Sequence, residues 1–449
     1  MPGIHNGIGT TFRSAFGGGG TPPNPDFVST WDTTQAGSAS DTIVLPMTAG
    51  LTVDWGDGNT DTTNTHTYAS GGVYTVTIEG AVTTFRFNNG GDRRKIVDIS
   101  NWGGFDVAAD SVFYGCENID FSATDSPTVT TTSFLRMFRN TFNLTNADIN
   151  NWDITGVNNM SECFWSSDIN CDLDTWDTSL VTNMTRAFYS TTFNGDISTW
   201  DVSNVISLFL TFSGSTFNQP LNSWVTSSLV NMGGTFRSSS FNQPIGNWDV
   251  SSVTSLSECF YGSVFNQDLD TWVTTSLNTL YNAFKGSSFN GNISTWDVSG
   301  VTDMRLTFYD AQAFNSDISS WNVSSVNNMQ QTFNFPSTNI FNQDLSGWNT
   351  SLVTNMFWTF KGATSFDQDI SLWDINQVTN FGPNGFMLSV TLSTANYDAL
   401  LIGWDSQGAM SYSGTVNFGG SQYTSGGAAD AARTSLISKW GGITDGGAA

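Results

Sequence analysis

Tryptophan recurs at a fixed interval through the middle of the chain, and that interval restricts the fold more than any other feature. Trp152, Trp176, Trp200, Trp224, Trp248, Trp272 and Trp296 are each 24 residues apart; Trp321, Trp348 and Trp373 continue the series at 25, 27 and 25. A period of roughly 20–30 residues marks stacked repeats, in which each unit hides its apolar face only against its neighbours. The expected body is an elongated slab with a long regular surface, which favours binding over catalysis.

In the unit from Trp176, Val181, Met184, Phe188, Phe193 and Ile197 follow at offsets 5, 8, 12, 17 and 21. The next unit repeats them as Val205, Leu208, Phe212, Phe217 and Leu221. Neither a period of 2 nor one of 3.6 runs the length of the unit, so each offset stacks on its own copy one turn on and forms an apolar ladder. One short parallel strand per turn is expected near residues 196–200, at ~4.8 Å per turn. A tighter or helical segment is expected over residues 181–188. Weaker copies at residues 99–102 and at Phe138 extend the series to eleven intervals between Trp102 and Trp373, a rod of roughly 50 Å. The asparagine after the second phenylalanine also repeats (Asn194, Asn218, Asn242, Asn266, Asn290), and is expected to point inward and bond the backbone at a bend.

The string at residues 193–205, Phe-Asn-Gly-Asp-Ile-Ser-Thr-Trp-Asp-Val-Ser-Asn-Val, closely resembles the BspA-like leucine-rich-repeat family of bacterial surface proteins, mycoplasma surface lipoproteins among them. The resemblance covers residues 99–378. It implies a repeat solenoid, a right-handed leucine-rich-repeat-like coil, displayed at a surface with roles in adhesion, and it carries no catalytic residues. The repeats here lack the family's frequent Cys and Lys decoration, so no particular ligand is implied.

The flanks differ in kind. Residues 1–30 hold a run of four glycines at 17–20 and a proline-rich stretch at 21–25, a flexible piece feeding a stiff one. The scattered apolar residues before it (Ile4, Ile8, Phe12 and Phe16) suit an arm that orders on a partner. Residues 31–98 alternate in a β fashion at 42–45, 51–54, 73–78 and 83–87. Val-Asp-Trp-Gly-Asp-Gly at 53–58, with His66, Tyr68 and Tyr74, resembles a polycystic-kidney-disease-type (PKD-like) β-sandwich, a spacer and binding unit whose sheet is expected to run into the first turn. Residues 379–449 read as an α/β cap. One helix begins at Ser393 or Thr394, and another covers 428–440, stopped by Gly441 and Gly442.

Fourteen Lys and Arg stand against 39 Asp and Glu, a formal net charge of −25. A nucleic-acid groove needs clustered positive charge, so DNA and RNA are excluded as partners. No stretch is apolar and long enough to span a membrane. Aspartate follows the tryptophan (Asp153, Asp177, Asp201, Asp249, Asp297, Asp374) and precedes the unit's last aliphatic residue (Asp172, Asp196, Asp268, Asp317, Asp344, Asp369). Turn capping in water is the simpler reading, with calcium along the ladder as the alternative; no cofactor is expected. Asp57, Asn59 and Asp61 have D-x-N-x-D spacing without the rest of a calcium loop and read as a turn. Cys116, Cys163, Cys171 and Cys259 form neither a disulfide framework nor a zinc pattern.

His5 and His66 are the two histidines, and neither sits in a catalytic motif. The expectation is a non-enzymatic protein. After Met1 there is neither a basic region nor an apolar run of roughly 7–15 residues, as a secretory signal peptide would show. Surface-type architecture without such a signal points to an exposed bacteriophage virion protein (tail fibre, head fibre or decoration protein), at the virion surface or extracellular. A cellular surface adhesin or surface-layer protein is the alternative, and a glycan-degrading enzyme the distant one. Expected partners are virion or cell-surface proteins and host surface glycans, with homo-oligomerisation compatible. The candidate binding residues are aromatics outside the ladder, Trp165, Tyr189, Tyr261, Tyr309 and Trp358. Longer turns after Trp296, including residues 334–338, are expected to bulge as loops.

Overall fold

The first rung of the repeat stack is also a strand of the N-terminal sheet. In the computed structural model, which describes residues 26–145, 149–382, 385–408 and 410–449, the front of the chain carries seven strands. They are β1 (Phe27–Asp32), β2 (Thr42–Val44), β3 (Val53–Asp54), β4 (Thr60–Asp61), β5 (Thr65–Thr67), β6 (Val73–Ile78) and β7 (Ile96–Asn101). Strand β1 begins inside the segment assigned to the arm and linker. Its alternation turns Phe27, Ser29 and Trp31 inward, and Ser29 Oγ accepts a bond from Trp31 Nε1 at 2.9 Å, which satisfies the one inward hydroxyl. The arm residues Ile4, Ile8, Phe12 and Phe16 lie outside the described residues. Three further short strands follow: β8 (Asp106–Val107), β9 (Asp120–Phe121) and β10 (Thr128–Val129).

The main sheet has the order β4-β3-β6-β1-β7-β9. Strand β1 is antiparallel to β6 and β7, whereas β7 pairs in parallel with β9, Asp98 opposite Asp120. The antiparallel front therefore changes to the parallel stack within a single sheet. Strands β2 and β5 form a separate antiparallel pair. Residues 83–87 stay irregular, held by Arg86 N to Pro46 O (2.8 Å) and Phe87 N to Val112 O (3.0 Å). Lys95 is wholly buried, and its Nζ donates to the carbonyls of Ser38, Ala39 and Thr42.

Beyond β10, ten parallel bridges join residues 133, 159, 183, 207, 231, 255, 279, 303, 328, 355 and 380 in succession. This corrects the expected strand position. The rung lies at offset 7, inside the segment expected to be tighter or helical, and residues 196–200 form a turn. After the rung, backbone N–H groups at offsets 8, 10, 12 and 14 donate to the next turn: Met184 to Ser207 O, Arg186 to Phe209 O, Phe188 to Thr211 O and Ser190 to Ser213 O, at 2.8–3.1 Å. Aligning four donors in seven residues requires left-handed backbone at offsets 10 and 14, as at Arg186 (φ 54) and Ser190 (φ 52). Leu210, Glu258, Leu306 and Trp358 take the same conformation at offset 10. Each costs roughly 1–2 kcal/mol, offset by the inter-turn bonds that the alternation creates.

The apolar offsets are buried as expected, with Met184, Phe188, Phe193, Ile197 and Trp200 all at most 2 % exposed. From Trp176 to Trp373 the indoles also donate to the turn before them: Trp200 Nε1 to Leu173 O (2.8 Å), Trp224 to Ile197 O (3.1 Å) and Trp248 to Leu221 O (3.1 Å). The asparagine ladder exists, but at the surface. Asn194, Asn266 and Asn290 are exposed and Asn218 and Asn242 half-buried, and each Oδ1 accepts the next asparagine's N–H at 2.6–2.8 Å. A backbone donor one turn away satisfies this amide, so it needs no burial.

At the far end, α1 (Thr394–Asp405) is capped by Ser393, and α2 (Ala428–Trp440) ends at left-handed Gly441. They pack on each other and beside the parallel pair β11 (Gly414–Asn417) and β12 (Gly441–Thr444). Trp404 on α1 donates to Ile370 O at 3.2 Å, so the helix continues the indole ladder and covers the last turn. Regular secondary structure is thus mostly sheet with two helices among the described residues, and the sheets are open.

Candidate binding face

Seven Lys and Arg residues lie in the repeats between residues 126 and 382: Arg136, Arg139, Arg186, Arg237, Lys285, Arg305 and Lys361. All seven fall at offsets 9, 10 or 13, at or next to the left-handed residues of offsets 10 and 14. Side chains there stand clear of the core and stack on their copies in adjacent turns. Along offset 13, Arg139 lies 3.7 Å from the Trp165 ring, and Trp165 packs on Tyr189 at 4.8 Å. Further on, Arg237 lies 4.9 Å from Tyr261, and Lys285 sits between Tyr261 (5.3 Å) and Tyr309 (5.0 Å). Lys361 covers Trp358 at 3.6 Å. Along offset 9, Arg305 lies over Tyr281 at 4.9 Å. The result is one strip of cations and rings, joined by cation–π contacts and, at Trp165–Tyr189, by a ring–ring contact.

The two glutamates of the repeats, Glu162 and Glu258, also lie on this strip at offset 10 and pair with cations of the preceding turn. Glu162 takes bonds from Arg136 (2.7 Å) and Arg139; Glu258 pairs with Arg237 at 2.8 Å. Burial works against the Glu162 charge, but the bonds from Arg136 and Arg139 outweigh it and hold the carboxyl below its ordinary pKa. Arg305 is paired with Asp303 at 2.7 Å. Arg186, Lys285 and Lys361 have no acidic partner within ion-pair distance among the described residues.

In the middle of the strip the side chains stop. Gly233 and Gly234 occupy offsets 9 and 10, leaving a notch of 640 Å³ walled by Phe209, Leu210, Arg237, Glu258 and Tyr281. A Cβ on Gly233 would stand 3.1 Å from the Phe209 ring, and one on Gly234 2.4 Å from Leu210 Cδ2. The bulky pair therefore leans over the two glycines of the next turn. Phe357 repeats this arrangement over Gly382, where a Cβ would meet its ring at 2.4 Å.

The five aromatics expected to bind divide by position. Trp165, Tyr189, Tyr261 and Tyr309 share offset 13, while Trp358 stands at offset 10; all five are half-buried on neighbouring side chains, so none projects free of its neighbours. Sequence reasoning passed over Phe209, Tyr281 and Phe357 at offset 9 and all the cations, although sorting the few basic residues by offset would have found the strip. The aspartates of the two repeating positions lie elsewhere on the coil and cap turns. Ser179 N donates to Asp177 Oδ1 (3.0 Å) and Ser198 N to Asp196 Oδ1 (2.8 Å). Bonds from the Thr155 hydroxyl and amide hold the Asp153 carboxyl below its usual range, and Ser179 does the same for Asp177. Asp57 and Asp61 likewise cap turns, accepting from Asn59 N and Thr63 N.

In the front sheet, His66 Nε2 lies 2.9 Å from Asp57 Oδ2, a partner its sequence context did not reveal, with its ring stacked on Trp55 at 5.0 Å. Cys116, Cys163 and Cys259 are buried, and burial pushes their thiols up. Of the long turn at 334–338, Pro336, Ser337 and Thr338 are exposed, while Phe335 is buried and donates its N–H to Lys361 O. No helix among the described residues is long and apolar enough to cross a membrane.

The sequence profile of a family described as "Mycoplasma protein of unknown function, DUF285" matches four times, over residues 106–216, 132–240, 191–290 and 278–385. Together the matches cover the repeat stack and more than half of the chain, and they agree with the BspA-like repeat reading. No curated protein and no solved structure matches the chain.

Proposed function

On the premise that the chain belongs to the DUF285 family, we propose that it is a non-enzymatic adhesion protein whose repeats form a right-handed leucine-rich-repeat-type solenoid. The cation–aromatic strip is its binding face. One observation carries this reading: every Lys and Arg of the repeats lies at offset 9, 10 or 13, beside the aromatics and the Gly233–Gly234 notch. A random scatter of charge for solubility would not confine the scarce cations of a −25 chain to one strip. Rigid aromatics supply contact area at small entropic cost, and arginine is enriched among the residues that dominate binding energy.

In this reading the front module is a PKD-like spacer, and the arm at residues 1–30 mounts the rod on a bacteriophage particle. The Gly/Pro-rich stretch behind the arm supports that placement, and the ligand is a component of the host surface. The test is binding of the labelled full-length protein to a panel of bacterial cells, compared with the Phe209→Ala/Arg237→Ala variant. The variant should fold and lose most cell binding. Equal binding by both proteins would refute the assignment of the face.

A further inference from the structure

The inference rests on the strip being a binding face and names what it takes. We propose that the segment built from Tyr261, Lys285 and Tyr309 holds a linear polysaccharide in which uncharged sugars alternate with uronic acids. The sugar rings lie on the two tyrosines, and one carboxylate sits on Lys285 Nζ.

Lys285, like Arg186 and Lys361, has no acidic partner among the described residues, and it lines a cavity. Arg136, Arg139, Arg237 and Arg305 already meet carboxylates. Lys285 meets only rings, at 5.3 and 5.0 Å, in a chain with 39 acidic residues available. The site is also open. Gly262 and Gly286 at offset 14 leave a cavity of 290 Å³ bounded by the two tyrosines, Lys285 and Asp310, and a Cβ on Gly286 would meet nothing within 4 Å.

Spacing selects the ligand. The core rings of these turns, Phe260, Phe284 and Phe308, follow one another at 5.4 and 5.6 Å, which is about the advance of one pyranose unit along an extended chain. The tyrosines are two turns apart with the lysine between, so stacking and ionic positions alternate as neutral and acidic sugars do. Asp310 at the rim accepts a bond from Gln312 Nε2 at 3.1 Å and is suited to accept sugar hydroxyls. Its charge also disfavours polymers that carry an anion on every unit, which separates an alternating uronate from a nucleic acid or a densely sulfated chain. Lys361 over Trp358 is a second unpaired cation further along the same line.

The experiment is calorimetric titration of the full-length protein with hyaluronan oligosaccharides (alternating uronate and N-acetylhexosamine), chito-oligosaccharides (neutral) and heparin oligosaccharides (densely sulfated). Hyaluronan should bind and the other two bind more weakly. Lys285→Met keeps the stem that packs between the tyrosines and should weaken hyaluronan binding about tenfold or more, leaving chito-oligosaccharide binding unchanged; Lys285→Arg should restore it. Tyr261→Ala should weaken both. Hyaluronan binding that is absent, or equal in wild type and Lys285→Met, overturns the proposal; so does tighter binding of heparin. Loss of the ligand class leaves cell binding sensitive to Phe209 and Arg237, whereas failure of the face itself abolishes that sensitivity, so the two failures are distinguishable.

Discussion

Replacing Trp248 by phenylalanine probes the indole ladder without emptying its position. The side chain is 2 % exposed, stacks on Trp224 at 5.8 Å and 12°, and donates Nε1–H to Leu221 O at 3.1 Å. Phenylalanine keeps an aromatic ring next to Cβ and loses three heavy atoms, two carbons and the indole nitrogen, worth about 2 kcal/mol at ~0.8 kcal/mol per buried carbon. The lost hydrogen bond adds about 0.5–1.5 kcal/mol. That is the low end for an orphaned carbonyl, because Leu221 O still accepts Trp224 N at 3.2 Å. A total of about 2–4 kcal/mol is expected. In a stack held by nearest-neighbour contacts this cost falls on the adjacent turns. Native-state hydrogen exchange resolved by peptide should therefore show amides between residues 224 and 272 exchanging roughly thirty-fold faster or more, with the front sheet unchanged. Uniform acceleration across the chain, or none, would refute the assignment of turn-by-turn stability to the indoles.

Two further predictions follow from other contacts. Asp445, 2 % exposed at its side chain, meets Arg433 at 2.7 Å and Tyr397 Oη at 2.8 Å. Burial opposes its charge, but these bonds outweigh it and hold its pKa below 3.8. The stabilisation is therefore complete above that value and is lost as pH falls through the lower folded pKa. Asp445→Asn should cost about 3 kcal/mol at pH 7, and thermal unfolding curves of the two proteins should converge towards pH 2; a constant gap would contradict the linkage. Gly234→Ala, at φ +61 with its Cβ 2.4 Å from Leu210 Cδ2, should destabilise by about 1–2 kcal/mol, and Leu210→Ala should relieve the steric part. Strictly additive urea-unfolding energies for the single and double variants would exclude the clash.

The parts of this molecule legible in advance are those written in apolar periodicity. The ladder at offsets 0, 5, 8, 12, 17 and 21 depends on side-chain burial, which sequence records directly, and both cap helices were readable from Ser393 and Gly441. The rung was misplaced because residues 196–200 look β-prone, whereas pairing at Asn183 is dictated by backbone that alternates hand. That alternation hides in ordinary residues: Arg186, Leu210, Glu258 and Trp358 carry positive φ where glycine would have announced it. The asparagines were placed inside because a repeated amide suggests a buried need. Here the donor they satisfy belongs to an exposed bend.

The same geometry leaves the proposed binding strip free to differ from turn to turn. Offset 12 is phenylalanine in every turn from Phe138 to Phe360, and the next residue is Arg139, Trp165, Tyr189, Ser213, Arg237, Tyr261, Lys285, Tyr309, Asn334 or Lys361. The backbone at offset 13 makes no N–H bond to the following turn; its N–H closes a turn within its own coil, as Tyr189 N does to Arg186 O at 3.3 Å. Its side chain is asked for neither burial nor an unusual φ. Offset 13 is thus released from the constraints that hold offsets 8, 10, 12 and 14, yet it is fixed in space by them, one side chain per turn. A chain that must keep its core repeating has here the position where each turn can differ, and the residues placed there are aromatic or cationic in eight of the ten turns. Exchanging Tyr261 and Lys285 for one another would keep composition and core intact while reversing the order of ring and charge. Binding that depends on the row as a pattern should be lost in this variant, and binding that depends only on net positive charge should survive.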